Sequence, residues 1–383
     1  MRLLILSTIE GVSWGGCEEI GGAIGAAAVG RGHEVALSMY PFRPRPAKVE
    51  SLVQSGVRLI ERPFRPYGRL NKLRHRLRRP LRALADWRPD VVVINEATFL
   101  DGVASTEGEA IGGWLNRASC PYIVLVHANS TAAIANEAVR SRASAYYQRA
   151  AIVGVLGRGA GDALRRQLGR PLDNLTIFRN PLPASLGSVP PPVQRQPHEP
   201  LRLAMVGRLD PVKAPDLAFE ALADPELRQR PWTLTCYGGG DEACFRAVAA
   251  HFGIADRVRF AGHVRDVAAV WHHNDVLLMP SRTEGLPLSM IECMSAGRVP
   301  VATDVGVIDE WVTDGVTGFL AEAPRKRYLV QALLRLWSRL PDLPLIGRAA
   351  QQTVAEHARH GLDAQGLVDA LTQLAAPMSQ GSR

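Results

Sequence analysis

Residues 276–302, VLLMPSRTEGLPLSMIECMSAGRVPVA, carry the chain from one short apolar run to the next. Val276–Met279 and Val299–Ala302 read as strands, and Pro287 suits the first turn of a helix between them. Continuous apolar strands separated by helices are the pattern of a parallel sheet covered on both faces. Outward from this unit the pattern repeats. Leu201–Val206, Trp232–Cys236 and Val258–Phe260 are further strand candidates before it. In the first half, Leu3–Leu6, Glu34–Leu37, Val57–Ile60, Val91–Ile94, Tyr122–Val126 and Ile152–Val155 form a second series, with helical spacing from Ile20 to Val29 and at Leu70, Leu73, Leu77, Leu81 and Leu84. Residues 181–200 hold seven prolines and little periodicity, the mark of a stiff linker.

The sequence therefore predicts an α/β protein of two doubly wound parallel-sheet domains, over 1–182 and 201–383, joined by 183–200. The last stretch, about 361–383, is expected to be a helix that can pack back on the first domain. Ligands of such sheets sit outside the carboxyl ends of the strands, so two facing domains are expected to make a cleft.

Composition sets bounds. The 383 residues are 46% hydrophobic and 21% charged, which excludes a disordered, collagenous or coiled-coil chain. The net charge of +8 rests almost wholly on Arg, since only Lys48, Lys72, Lys213 and Lys326 are Lys. That skew is a weak argument for nucleic acid, and no nucleic-acid partner is expected. Five scattered cysteines without a CxxC give neither a disulfide framework nor a zinc site. The start has too short an apolar run for a signal peptide, and Ile20 to Gly30 is too short to span a bilayer. A cytoplasmic protein is expected.

Several nucleotide motifs are absent. No Lys follows a Gly, so there is no P-loop; G-x-G-x-x-G does not follow the first strand; no Asp-x-Asp pair is present to hold a metal-bound diphosphate. His357 and His360 lack an acidic partner and read as a solvated face. What remains lies after strand ends. Gly207 allows close backbone approach, and Arg208 and Lys213 put two cations ahead of the helix that opens at Pro215, which suits a phosphate or diphosphate. Glu284 in the loop and Glu292 early in the next helix can reach opposite ends of one elongated ligand, with the free N–H groups of the helix start between them. Taken singly, Glu284 reads as an acid complementing the helix dipole and Glu292 as a surface acid.

Jointly these residues resemble the donor domain of GT-B glycosyltransferases, specifically the large retaining family numbered four. The resemblance spans 201–322 and includes Tyr237-Gly238-Gly239-Gly240, Gly297, Pro300, Val301 and Thr317-Gly318. It implies a nucleotide-diphosphate sugar as co-substrate, with no metal and no other cofactor. It places Glu284 at the sugar hydroxyls, Glu292 at the ribose hydroxyls, and Arg208 and Lys213 at the leaving diphosphate. Gly207 and Gly238 line the donor, while Gly285, Leu286, Pro287 and Leu288 bring the loop and helix start to its phosphates. Ala214 departs from the family's usual Gly, with little consequence expected.

In the first half, Ser13-Trp14-Gly15-Gly16-Cys17-Glu18-Glu19 resembles the family's Gly-Gly loop, with Cys17 where a subgroup has Ser. Gly15 and Gly16 are expected to let the backbone approach donor phosphates and acceptor; a tight strand-to-helix turn is the plainer reading. His127, just past an apolar strand, matches the family position facing the transferred sugar, although alone it reads as a core histidine satisfied by the backbone. Asn129 reads as an acceptor contact or, more simply, as a helix cap. Residues 62–88 hold ten Lys/Arg against one acid, Asp86. They read as a sheet-packing helix with a solvated Arg face or as a contact with anionic lipid or a charged acceptor, which would make the protein peripheral at a membrane.

The expected reaction is retaining, metal-independent, front-face transfer to a small-molecule, glycan or lipid-linked acceptor. A sugar-nucleotide epimerase, a sucrose- or glycogen-type relative and a non-catalytic nucleotide-sugar-binding subunit are the alternatives.

Overall fold

The structure is a computed structural model, and it describes residues 1–9, 14–63, 81–98, 106–128, 136–181, 199–264 and 266–376. The chain divides into two units, 1–181 together with 361–383, and 182–360.

The first unit runs β1 (Arg2–Ser7), α1 (Gly16–Gly30), β2 (Glu34–Met39), α2 (Ala47–Gln54), β3 (Arg58–Glu61), α3 (Arg82–Trp87), β4 (Val91–Thr98), α4 (Thr106–Ala118), β5 (Tyr122–Ala128), α5 (Glu137–Arg149), β6 (Ile152–Val155), α6 (Arg158–Leu168) and β7 (Leu175–Ile177). Its seven strands form one parallel sheet in the order β3-β2-β1-β4-β5-β6-β7. The second unit runs β8 (Leu201–Val206), α7 (Pro215–Leu222), α8 (Pro225–Arg228), β9 (Trp232–Tyr237), α9 (Glu242–His251), β10 (Val258–Gly262), α10 (Val267–His273), β11 (Val276–Met279), α11 (Leu288–Ser295), β12 (Val299–Thr303), β13 (Phe319–Ala321), α12 (Lys326–Ser338) and α13 (Leu343–His357). Its six strands are also parallel, in the order β10-β9-β8-β11-β12-β13. Both are doubly wound α/β sheets, as the alternating pattern requires.

The strands β7 and β13 are additional to those read from the sequence. Each has three residues, too few for a hydrophobic period to register. Elsewhere the ends follow local chemistry. α1 closes in a Schellman motif: Gly32 takes a φ of +77°, its N–H donates to Val29 O, and the His33 N–H donates to Ala28 O. The central strands are buried over most of their length, Leu3 to Leu6 and Val91 to Ile94 among the buried residues. That burial on both faces is what fixes the helical layers against each sheet.

Beyond Gly361 the chain returns to the first unit as α14 (Ala364–Ala375). Asp363 caps it, accepting from the Gly366 N–H at 2.8 Å, and also pairs with Arg179 at 3.2 Å. The helix packs on α1 and buries Leu367, Val368 and Leu371, while Arg31 bonds Asp369 and Gln365. Removing a fully buried leucine leaves a cavity in the α1–α14 interface. Leu371→Ala should lower unfolding free energy by about 2–5 kcal/mol in denaturant titration; a loss within experimental error would contradict this packing.

Candidate functional site

In a doubly wound sheet the loops diverge where the strand order reverses, leaving a crevice at the carboxyl ends. The second unit reverses between β8 and β11, and the loops that leave these two strands carry most of the residues singled out from the sequence. The loop after β8 is laced to the one after β9. The Gly207 N–H donates to Tyr237 O at 2.9 Å and the Leu209 N–H to Gly239 O at 2.8 Å. Gly238 has φ +136°, and a Cβ there would overlap the Gly207 carbonyl, so only glycine lets the loops approach this closely.

The Lys213 ammonium lies 2.5 Å from Glu284 Oε1, both side chains being largely shielded from solvent. Two features hold this pair. Asp210 Oδ1 accepts the Lys213 N–H at 3.0 Å. Arg282 joins the loops: its N–H donates to Val212 O at 2.8 Å, and Nη1 donates to Pro211 O at 2.7 Å. The same guanidinium makes a bidentate pair with Asp216 at 3.0 and 2.6 Å, holding the Asp216 carboxyl below its ordinary range although burial opposes the shift. Arg208 is over half exposed and pairs with Asp210 at 3.1 Å.

Past Glu284 the loop turns over Gly306, whose φ is +71°; a Cβ there would overlap the carbonyls of Glu284 and Gly285. Leu286 is buried, and Leu288 is the first residue of α11. Pro287 stands at the cap, one residue ahead of the expected first turn. Glu292 follows one turn into the helix and is nearly buried, so it is not the surface acid that its isolated reading suggested. The second unit thus brings Gly207, Lys213, Gly238, Glu284 and Gly285 into one bonded set of loops. Arg282, Asp210 and Asp216 join it without having been singled out.

Ala214 is not inconsequential. It adopts a left-handed backbone, φ +52° and ψ +53°, costing an L-residue about 1 kcal/mol, because the chain must turn sharply to start α7.

The first unit reverses between β1 and β4. Here Gly15 caps α1, its N–H donating to Glu18 Oε2 at 3.0 Å, while Gly16 opens the helix on an exposed edge. The Ser7 hydroxyl donates to Glu18 Oε1 at 3.3 Å. Asn95, in register with Ser7, donates through Nδ2 to Cys17 O at 2.8 Å and accepts at Oδ1 from His127 Nε2 at 2.7 Å. His127 is 3% exposed, packs edge-on to Phe178, and burial lowers its pKa to about 3. It is therefore a neutral imidazole at working pH, and among the described residues its hydrogen-bond partner is an asparagine side chain and not the backbone.

Arg62 does not belong to an exposed basic surface. It leaves β3 into the carboxyl end of the sheet, donating to Ser38 Oγ at 2.7 Å and to Ser7 O, over the Tyr40 ring. One strand-end carbonyl and one serine hydroxyl take the guanidinium inward. Residues 64–80 of the Arg-rich stretch, Ser13, Asn129 and most of the Pro-rich linker lie outside the described residues. The helix α5 is capped by Asn136. Among the described residues, no helix is long and apolar enough to cross a membrane, and no three His, Cys, Asp or Glu cluster to hold a metal ion.

Glu18 is the one carboxyl here pushed strongly upward, to about 7 from 4.5, chiefly by burial and against the bonds from backbone N–H groups and Ser7. Its folded-state value lies above the unfolded one, so its contribution to stability is full below about pH 4.5 and is lost as pH rises through about 7. His127 runs the other way, its contribution being lost as pH falls from 6.5 toward about 3. Glu18→Gln isolates the first effect. The stability of the variant relative to the parent should rise by about 3 kcal/mol between acid and mildly alkaline pH, read by denaturant titration at each pH. A pH-independent difference would place Glu18 in water.

Comparison with known proteins adds the family. A model described as "Glycosyl transferase 4-like domain" matches residues 15–181, and "Glycosyl transferases group 1" matches 200–339. A D-inositol 3-phosphate glycosyltransferase of Streptomyces griseus is 33% identical over 175 residues, 43% of this chain and 36% of that one. The chain thus spans little more than a third of that relative's length. Among solved structures, Anabaena HepE in complex with UDP-glucose aligns with a TM-score of 0.70 at 17% identity, covering 97% of this chain and 98% of that one. Sucrose-phosphate synthase from Thermosynechococcus elongatus aligns at 0.71 and 19%, covering 98% of each. At such identities the likeness establishes the fold, two Rossmann-like units of the GT-B type. With one family model on each unit, the chain belongs to the group 1 (family 4) glycosyltransferases of the GT-B fold.

Proposed function

We propose that this protein transfers a sugar from a nucleotide-diphosphate sugar to an acceptor hydroxyl, with retention at the anomeric carbon and without a metal ion. The observation that carries the reading is the Lys213–Glu284 pair at 2.5 Å, set between the β8 and β11 loops just ahead of the α11 start. A cation and a carboxylate in this order suit a ligand whose anionic part is followed by hydroxyls. The ammonium and the α11 N–H groups take the diphosphate, and the carboxylate takes sugar hydroxyls. Arg208, more exposed, adds a second cation, and Glu292 receives the ribose hydroxyls. Gly207, Gly238, Gly285, Leu286, Pro287 and Leu288 supply the close backbone around the donor. In the first unit, Gly15 and Gly16 offer backbone to the acceptor side of the reaction, and His127 orients the sugar. With its pKa near 3, His127 has no imidazolium proton to give.

In the reaction so read, the bond from the anomeric carbon to the diphosphate oxygen breaks, and the acceptor oxygen bonds to the same face of that carbon. The acceptor's proton passes to the departing phosphate oxygen. No side chain is assigned as nucleophile, since Glu284 is engaged by Lys213 and Glu292 is reserved for the ribose. Arg208, Lys213 and the helix start meet the charge that grows on the leaving group, where fixed positive groups act most strongly. The known neighbour carrying UDP-glucose makes that donor the first to offer.

Arg208→Ala and Lys213→Ala should each lower turnover by about 10²–10⁴ with the melting temperature nearly unchanged. An α-linked donor should yield an α-linked product by NMR of the anomeric proton, in buffer containing a chelator. Wild-type turnover in both variants, or a β-linked product, would overturn the reading; nucleotide binding with no release of nucleoside diphosphate from any donor would point to a binding subunit.

A further inference from the structure

A single asparagine side chain connects the Gly-Gly loop to His127. Asn95 is 1% exposed and interrupts the apolar run of β4, where a polar side chain costs stability unless both of its groups are bonded. Both are. Its neighbour across one bond is the carbonyl of Cys17, 2.8 Å away, which can only accept, so the amide nitrogen must face it. The amide oxygen then faces His127 Nε2 at 2.7 Å, and an oxygen without a hydrogen requires that Nε2 carry the proton. Phe178 meets the ring edge-on, 5.1 Å between centroids, which fixes the plane of the imidazole.

We propose that Asn95 is a positioning residue that locks His127 as the Nε2–H tautomer and ties it to the first turn of α1, leaving Nδ1 as a bare acceptor for a substrate hydroxyl. The chemistry is selective. A bare ring nitrogen welcomes a hydroxyl and repels a carbonyl or phosphate oxygen, so His127 is set to recognise the hydroxyl-bearing part of a ligand. Burial holds the ring neutral, so the selection persists across the physiological range. The same amide fixes the Cys17 carbonyl one residue beyond Gly16, so a shift of the α1 start is felt at the imidazole. The tautomer and the tie stand on geometry alone; only the identity of the hydroxyl as a sugar's rests on the proposed transfer reaction.

The test is ¹⁵N NMR of the full chain labelled at histidine, with His127 assigned by the loss of its signals in His127→Gln. In the parent protein Nε2 should show a protonated shift and Nδ1 an unprotonated one, both unchanged between about pH 5.5 and 8. Asn95→Leu, similar in shape but without polar atoms, should lose that preference. It should lower kcat about tenfold to a hundredfold, the scale of a misplaced reacting group, with nucleoside diphosphate affinity within about twofold of the parent. Asn95→Asp keeps the acceptor and should retain the proton on Nε2 and recover part of kcat. A parent protein protonated at Nδ1, or Asn95→Leu with parental shifts or parental kcat, overturns the proposal; should Asn95→Leu fail to fold, the parent spectrum still decides. A correct tautomer in a protein that transfers no sugar would sink the proposed reaction and leave the role of Asn95 standing.

Discussion

Parallel strands must all deliver their loops at the same end of a sheet, and each sheet here reverses its order once, between β1 and β4 and between β8 and β11. That constraint gathers side chains from distant parts of the sequence. Lys213 and Glu284 are 71 residues apart and meet because β8 and β11 are neighbours across the reversal. Ser7 and Asn95 are in register for the same reason, which sets Asn95 under the first turn of α1 and beside His127 on the next strand. The burial of these strands on both faces stabilises the arrangement, and the polar residues of the two sites stand toward their carboxyl ends.

The two ends solve the polar problem differently. In the second unit the groups are charged and paired, Lys213 with Glu284 largely out of solvent, Arg208 with Asp210 and Arg282 with Asp216 more open to it. Such pairs add little net stability, because attraction and desolvation nearly offset each other. Their value lies in geometry: a cation ready for an anion and an acid ready for hydroxyls. In the first unit two of the buried groups drift toward neutrality, His127 down to about 3 and Glu18 up to about 7. At His127, hydrogen-bond direction and not charge is what that end can offer a ligand.

Much of this was legible in the sequence. The strand runs and the charged loops were, because apolar runs and the Glu284–Glu292 spacing are local patterns. Three-residue strands at the sheet edges were not, since a period needs more residues than β7 and β13 have. Arg282 lay inside the most informative stretch and still escaped notice, its partner Asp216 being 66 residues upstream. Asn95 left a fainter trace, a polar pair with Glu96 inside a buried strand, which implies partners without naming them. Arg62 departs from the exposed basic face because a charge run treats neighbours in sequence as neighbours in space; the Ser7 carbonyl at the end of β1 and the Ser38 hydroxyl on β2 take its guanidinium instead. Ala214 needed its backbone angle before its cost was visible.

The central claim is that the β8 and β11 loops hold the diphosphate of a nucleotide sugar. Hydrogen–deuterium exchange of the whole chain with and without saturating nucleoside diphosphate addresses it directly, since ligand bonding to backbone amides slows their exchange. The account predicts slowed exchange concentrated at residues 207–213 and 285–292, reduced by Lys213→Ala. Protection confined to other segments, or none at a concentration where calorimetry shows binding, would contradict it.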